Sequence, residues 1–175
     1  EYVQATAYET RKSKQDIIQS ARTRLHQLTG AYLSLKIDYA QWLDKFKSLA
    51  SNDQEALKST SLQMMRLHAS TAERLAVLPT FFQTTLASIS PVKSVLDLAC
   101  GLNPLSIPWM PLADGFSYFA SDVVSPLVYF LWHYFELFGI PGNASILDLS
   151  YSIPSQSVQL ALLMKTLPLM EQIEH

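Results

Sequence analysis

The sequence predicts an α/β protein in which an N-terminal helical bundle precedes a parallel sheet. Three observations carry that expectation. Residues 9 to 67 contain one glycine, Gly30, and no proline, and their apolar residues recur every three or four positions. From position 94 the rhythm changes to short apolar runs, each closed by a glycine or a charged residue. Between those runs lie segments long enough to cross back over a sheet, as parallel strands require.

The front half reads as three helices. Ile17, Ile18, Ala21, Leu25 and Leu28 mark one helical face, and Gly30 is placed to end it. Leu33, Ile37, Ala40, Leu43, Phe46 and Leu49 continue the pattern in a second helix. Ser51-Asn52-Asp53 is a break and a fresh N-cap, followed by a third helix from Gln54 to Leu67 that carries Ala56, Leu57, Leu62 and Met65. Such stripes belong to helix–helix packing.

The back half alternates. Ser94 to Cys100 is a first strand closed by Gly101, and Phe116 to Ala120 a second ending at Asp122. Ala144 to Leu147 is a third ending at Asp148, and Leu160 to Met164 a fourth ending at Lys165. The connections are a stretch with Pro104, Pro108 and Pro111, an aromatic helix from Leu127 to Phe138 closed by Gly139, and a loop holding Pro154. The expected division is 1–67 for the helical domain and 68–175 for the sheet.

Composition narrows the function. With 175 residues, 49% of them hydrophobic, the chain has the material for a real core and is no disordered segment. A single cysteine, Cys100, excludes a disulfide framework and a cysteine-built zinc site, and we expect no metal. The formal charge of -2 is not that of a strongly basic nucleic-acid wrapper. It conceals an asymmetry. Residues 1–75 hold 11 basic and 8 acidic side chains, whereas 76–175 hold only Lys93 and Lys165 against seven acids. The front is therefore the expected contact for a polyanion. Glu1 to Ser20 lacks an apolar signal region, and the apolar run Pro126 to Phe138 is short and broken by His133 and Glu136. A cytoplasmic, membrane-free protein is expected.

Asp97, Asp122 and Asp148 lie 25 and 26 residues apart, one strand–helix unit each. They fall at the carboxyl ends of successive strands, the rim where open α/β sheets take ligands. Asp122, about 20 residues beyond the first turn, suits a bidentate grip on two ribose hydroxyls, and Asp148 suits an adenine amino group. The turn Asp97-Leu98-Ala99-Cys100-Gly101-Leu102-Asn103-Pro104 is not G-x-G-x-x-G. Ala99 replaces the glycine of the tightest turn, and Asn103 tolerates a left-handed backbone. That favours a nucleoside-type ligand over a pyrophosphate. The structural alternative is a strand–turn whose acid caps a helix.

Upstream, Ser70 with Glu73 matches a capping box. Arg74 would then lie just inside a helix start, where its guanidinium and the positive dipole end together suit a carboxylate. His68, with no nucleophile or metal partner spaced near it, reads as a structural histidine.

Four segments together resemble the aminoglycoside-resistance family of small-subunit rRNA guanine-N7 methyltransferases. They are Leu25-His26-Gln27 with Gly30-Ala31-Tyr32, His68-Ala69-Ser70-Thr71 with Glu73-Arg74-Leu75, Leu96 to Pro104, and Lys165-x-Leu167-Pro168-x-x-Glu171. The third, with Asn-Pro after its glycine, is the most specific. The resemblance implies a helical rRNA-gripping domain, then a Rossmann-like domain that uses S-adenosylmethionine to methylate guanine N7 in the decoding-site helix. It implies that Arg74 holds the methionine carboxylate, with His68 and Ser70 in the same cofactor set. Gly101, flanked by Asp97 and Ala99, lets the cofactor lie on the turn. Asp122 and Val123 take the ribose, and Asp148 and Leu149 border the adenine. Lys165 faces the guanine or a nearby phosphate, while Arg11, Lys12, Lys14, Arg22 and Arg24 form the basic front toward 16S rRNA of the small ribosomal subunit. Family members continue further, so the sheet within these residues is expected to lack its last strands. No catalytic acid or base is nominated, because guanine N7 already carries a free lone pair. A monomer is expected. The alternatives are a non-catalytic relative that binds rRNA or cofactor, and a small-molecule methyltransferase.

Overall fold

A computed structural model describes residues 37–49, 53–149, 151–152 and 154–164. Helix α1 (Tyr39–Lys47) starts at Asp38, whose carboxylate accepts the Gln41 N–H at 3.1 Å. Lys45 and Lys47 in its last turn complement the negative dipole end. Helix α2 (Gln54–Met65) starts at Asp53 as expected, with the Asp53 carboxylate accepting the Ala56 N–H at 2.8 Å. The helix expected around residues 17–28 lies outside the described residues.

Two short helices follow, α3 (Ala69–Ala72) and α4 (Leu78–Thr85). Strand β1 (Val92–Leu98) leads through a turn into a 3-10 helix (Asn103–Trp109), then β2 (Leu112–Asp122). Helix α5 (Ser125–Leu137) stops before Gly139, which takes the positive φ of 60° expected of a closing glycine. Strands β3 (Gly142–Ile146) and β4 (Leu160–Leu162) complete the sheet.

The sheet order is β3-β2-β1-β4, and every neighbouring pair is parallel. Strand order therefore reverses between β1 and β4, the arrangement that opens a crevice beyond the carboxyl ends of those strands. β2 begins four residues earlier than its apolar run. Ala113-Asp114-Gly115 has the composition of a turn, yet it belongs to the strand, across a register shift opposite Val92 to Ser94.

The core is contiguous from the helical front into the sheet. Phe46 of α1 is buried against α5, its ring centroid 5.2 Å from Tyr134 and 6.0 Å from both Phe130 and Phe138. Leu57, Met64 and Met65 of α2 join the same cluster, together with Leu102 and Leu105 around the 3-10 helix. Each such side chain contributes on the order of 1.5–3 kcal/mol through burial. This packing holds the turn after β1 in place from below.

Candidate functional site: the carboxyl rim of the sheet

Register places the acids. Asp97 on β1 pairs with Ala120, and Asp122, two residues further along β2, pairs with Ile146 of β3. Asp148 lies just beyond β3, half-buried with Leu149. The Leu147 N–H donates to the Asp122 carbonyl at 3.1 Å and carries the β2–β3 contact past the last strand residue.

The turn after β1 is tied to the end of β2. The Cys100 N–H donates to the Ser121 carbonyl at 2.9 Å, and the Gly101 N–H to Asp122 Oδ2 at 2.9 Å. Asp122 Oδ1 accepts the Val124 N–H at 3.0 Å. Each carboxylate oxygen has one further acceptor site left, so Asp122 can clamp the turn and still receive two hydroxyls. Val123, half-buried, sits between the clamped residues.

The left-handed positions differ from those expected. Ala99 itself takes a positive φ of 48°, and Gly101 one of 52°. Asn103 opens the 3-10 helix instead, and its side chain is committed elsewhere. Gly101 has a second reason to lack a side chain: an added Cβ would meet His68 Cε1 at 3.1 Å.

The capping-box expectation is overturned. The extended residue before α3 is His68, not Ser70, which lies inside the helix. The Ser70 hydroxyl is 2.9 Å from His68 Nδ1, while the Thr71 hydroxyl donates to the carbonyls of Met65 (2.6 Å) and His68 (3.0 Å). Arg74 accordingly lies after α3 rather than at its start, so the dipole argument for it fails. Its approach to the rim comes from tertiary packing.

That approach builds a buried polar chain. Arg74 Nη2 donates to Asn103 Oδ1 at 3.1 Å, and Asn103 Nδ2 donates to Asp97 Oδ2 at 2.9 Å. The Tyr118 hydroxyl donates to the same Asp97 oxygen at 2.7 Å. Complete burial pushes the Asp97 carboxyl up to about 7, against the opposing pull of the Asn103 and Tyr118 hydrogen bonds and of Arg74. Burial lowers His68, with Asp122 opposing and Arg74 reinforcing the shift. Arg74 Nε and Asp97 Oδ1 are buried and have no hydrogen-bond partner among the described residues. A donor and an acceptor left unpaired in this way each cost on the order of 1–3 kcal/mol, which a bound polar group would recover.

The structure thus gathers His68, Ser70, Arg74, Asp97, Ala99, Gly101 and Asp122 around one turn. Arg11, Lys12, Lys14, Arg22, Arg24 and Lys165 lie outside the described residues. Asn103 and Tyr118 are additions to the expected set. Tyr118 gave a faint signal, a large phenol in the middle of an interior strand. Among the described residues, no cluster of His, Cys, Asp or Glu is arranged to hold a metal, and no helix is long and apolar enough to cross a membrane.

A parallel sheet of this order, with acids along its carboxyl rim and a glycine turn after β1, defines a Rossmann-like domain of the S-adenosylmethionine-dependent methyltransferase type. Solved structures agree. The 16S rRNA methylase RmtB superposes with a TM-score of 0.68 at 30% identity, over 93% of this chain and 61% of that one. The 16S rRNA methyltransferase RmtF, solved with S-adenosyl-L-homocysteine, gives a TM-score of 0.65 at 30% identity, over 94% and 60%. The chain belongs to the FmrO ribosomal RNA methyltransferase family, whose profile matches residues 3–174. The 16S rRNA (guanine(1405)-N(7))-methyltransferase of Micromonospora olivasterospora is 34% identical over 166 residues, which are 95% of this chain and 56% of that protein. The enzyme of the same name from Serratia marcescens is 32% identical over 169 residues, 92% of this chain and 58% of that protein. The chain therefore spans a little over half the length of these curated relatives.

Proposed function

We propose that this chain is the cofactor-binding part of a 16S rRNA guanine-N7 methyltransferase that confers aminoglycoside resistance. The observation that carries the reading is the buried Arg74–Asn103–Asp97 chain beside the reversal of strand order. Its two unpaired atoms, Arg74 Nε and Asp97 Oδ1, match the carboxylate and ammonium of an amino-acid end.

The residues present fit S-adenosylmethionine. Arg74 holds the carboxylate, and Asp97 the amino group. His68, held by the Ser70 hydroxyl, packs beneath Gly101, whose missing Cβ leaves the ring room, and the cofactor lies on the turn. The free acceptor sites of Asp122 take the ribose hydroxyls, with Val123 beside them. Asp148 and Leu149, half-buried beyond β3, border the adenine. When bound, the cofactor supplies an electrophilic methyl group that a guanine N7 lone pair can attack without prior loss of a proton. The protein's task is then alignment and exclusion of water rather than acid–base chemistry. On this reading residues 1–67, with Arg11, Lys12, Lys14, Arg22 and Arg24, are the rRNA-facing helical domain and 68–175 the methyltransferase domain, with Lys165 assigned to the target guanine or a nearby phosphate. The substrate is the small ribosomal subunit. We place the protein in the cytoplasm as a monomer that needs no metal.

The test is transfer of a labelled methyl group from S-adenosylmethionine to isolated small subunits, followed by mapping of the modified base. Label at a guanine N7 in the decoding-site helix is the expected result. Cofactor binding without transfer would favour a non-catalytic relative, and transfer to small molecules alone would overturn the rRNA reading.

A further inference from the structure

Asn103 is 2% exposed, and all of its side-chain polar groups point at partners. Arg74 can only donate and an ionised Asp97 can only accept, so the amide has one satisfactory orientation between them. The Ser106 hydroxyl reinforces it, donating to the Asn103 carbonyl at 2.6 Å and lying 3.4 Å from Oδ1. A direct Arg74–Asp97 ion pair would satisfy both charges and leave neither for a ligand. The intervening amide prevents that closure. It holds one guanidinium nitrogen, Nη2, and one carboxylate oxygen, Oδ2, and leaves Nε and Oδ1 unpaired. Tyr118 fixes the same carboxylate from the neighbouring strand, so that Oδ2 is occupied and Oδ1 is the oxygen left over.

We infer that Asn103 is a positioning residue, supported by Tyr118, that keeps Arg74 and Asp97 apart as a donor–acceptor pair selecting ligands with a zwitterionic α-amino-acid end. This deepens the cofactor reading above and rests on it. Asn103 touches neither the reacting atoms nor the ligand; it acts through Arg74 and Asp97.

The experiment compares two ligands with the same nucleoside. S-adenosylhomocysteine carries the amino-acid end, and 5′-methylthioadenosine lacks it. Both are titrated by calorimetry into the 175-residue chain and into its Asn103→Ala and Tyr118→Phe variants, with thermal unfolding recorded for each. Asn103→Ala is expected to weaken S-adenosylhomocysteine about tenfold or more, the scale of one charged hydrogen bond, and to leave 5′-methylthioadenosine within about twofold. Tyr118→Phe removes one oxygen only and is expected to shift the same ratio by about threefold. An unchanged ratio in both variants, or an equal loss of both ligands, would overturn the inference while leaving the cofactor reading in place. Failure of the unaltered chain to bind either ligand would overturn the cofactor reading and the inference with it.

Discussion

Two buried regions of this molecule are built to opposite ends. The seam between α1 and α5 is made of Phe46, Phe130, Tyr134 and Phe138, ring against ring. The rim at the ends of β1 and β2 is buried just as deeply, with Asp97 and Phe46 both 1% exposed. There the contacts are hydrogen bonds, and Arg74 Nε, Asp97 Oδ1 and Ser121 Oγ remain unpaired. Aromatic packing stabilises whatever is bound. Unpaired polar atoms weaken the free protein, and a polar ligand group can satisfy them. On the cofactor reading proposed above, stability and recognition reside in different regions, and substitutions should separate them.

The largest effect is expected in the seam. Phe46→Ala should cost about 3–5 kcal/mol in denaturant unfolding, with affinity of the folded protein for S-adenosylhomocysteine held within about twofold. A matching loss of affinity would break the separation. Arg74→Met should do the reverse, weakening binding about 100-fold while costing only on the order of 1 kcal/mol in stability, because the ligand loses a charged partner and the buried Asn103 Oδ1 its donor. Asp122→Ala sits between the regions. It should weaken binding about tenfold and also lower stability by on the order of 1 kcal/mol, because the Gly101 and Val124 N–H groups lose their acceptor.

Acid–base behaviour sharpens the contrast. Asp97 is raised from 3.8 to about 7 in the folded chain, so its contribution to stability is full below about pH 3.8 and is lost as pH rises toward 7. His68 is lowered from 6.5 and acts in the opposite sense, destabilising the fold as pH falls below 6.5. Asp97→Asn should remove the first slope and leave the second, as read by unfolding from pH 4 to 8. Affinity for an ammonium-bearing ligand runs against the Asp97 stability slope. It should rise with pH and level off above about 7, once the carboxyl is ionised. The smallest effect belongs to Ala99, whose φ of 48° suits glycine better. Ala99→Gly should raise stability by about 1 kcal/mol, read by denaturant unfolding.

Much of the fold is legible in the sequence, because periodicity and capping are local signals. Asp53 before α2, Gly139 after α5 and the acids at the strand ends all follow from neighbouring residues. Helix α4 and the early start of β2 do not. Pro79 falls in the first turn of α4, where its missing N–H costs nothing, and the Ala113-Asp114-Gly115 stretch has turn chemistry that sheet pairing overrides. The site divides the same way. Asp97 and Asp122 follow from strand spacing, whereas Ser70 misleads because S-x-x-E fits a capping box whose backbone geometry belongs to His68. Asn103 joins Arg74 across 29 positions, and Tyr118 reaches Asp97 across 21. No local pattern signals such long-range bonds. The register of β1 on β2 brings Tyr118 to Asp97, and packing of the segment after α3 against the turn brings Arg74 to Asn103.

The central claim is that the rim is a binding site for S-adenosylmethionine and its demethylated product. Calorimetric titration of S-adenosylhomocysteine into this chain tests it most directly. Saturable binding at one site per chain, abolished or strongly weakened by Arg74→Met and retained by a chain carrying Phe46→Ala while it stays folded, is the predicted result. An absence of binding by the folded chain, or binding indifferent to Arg74, would contradict it.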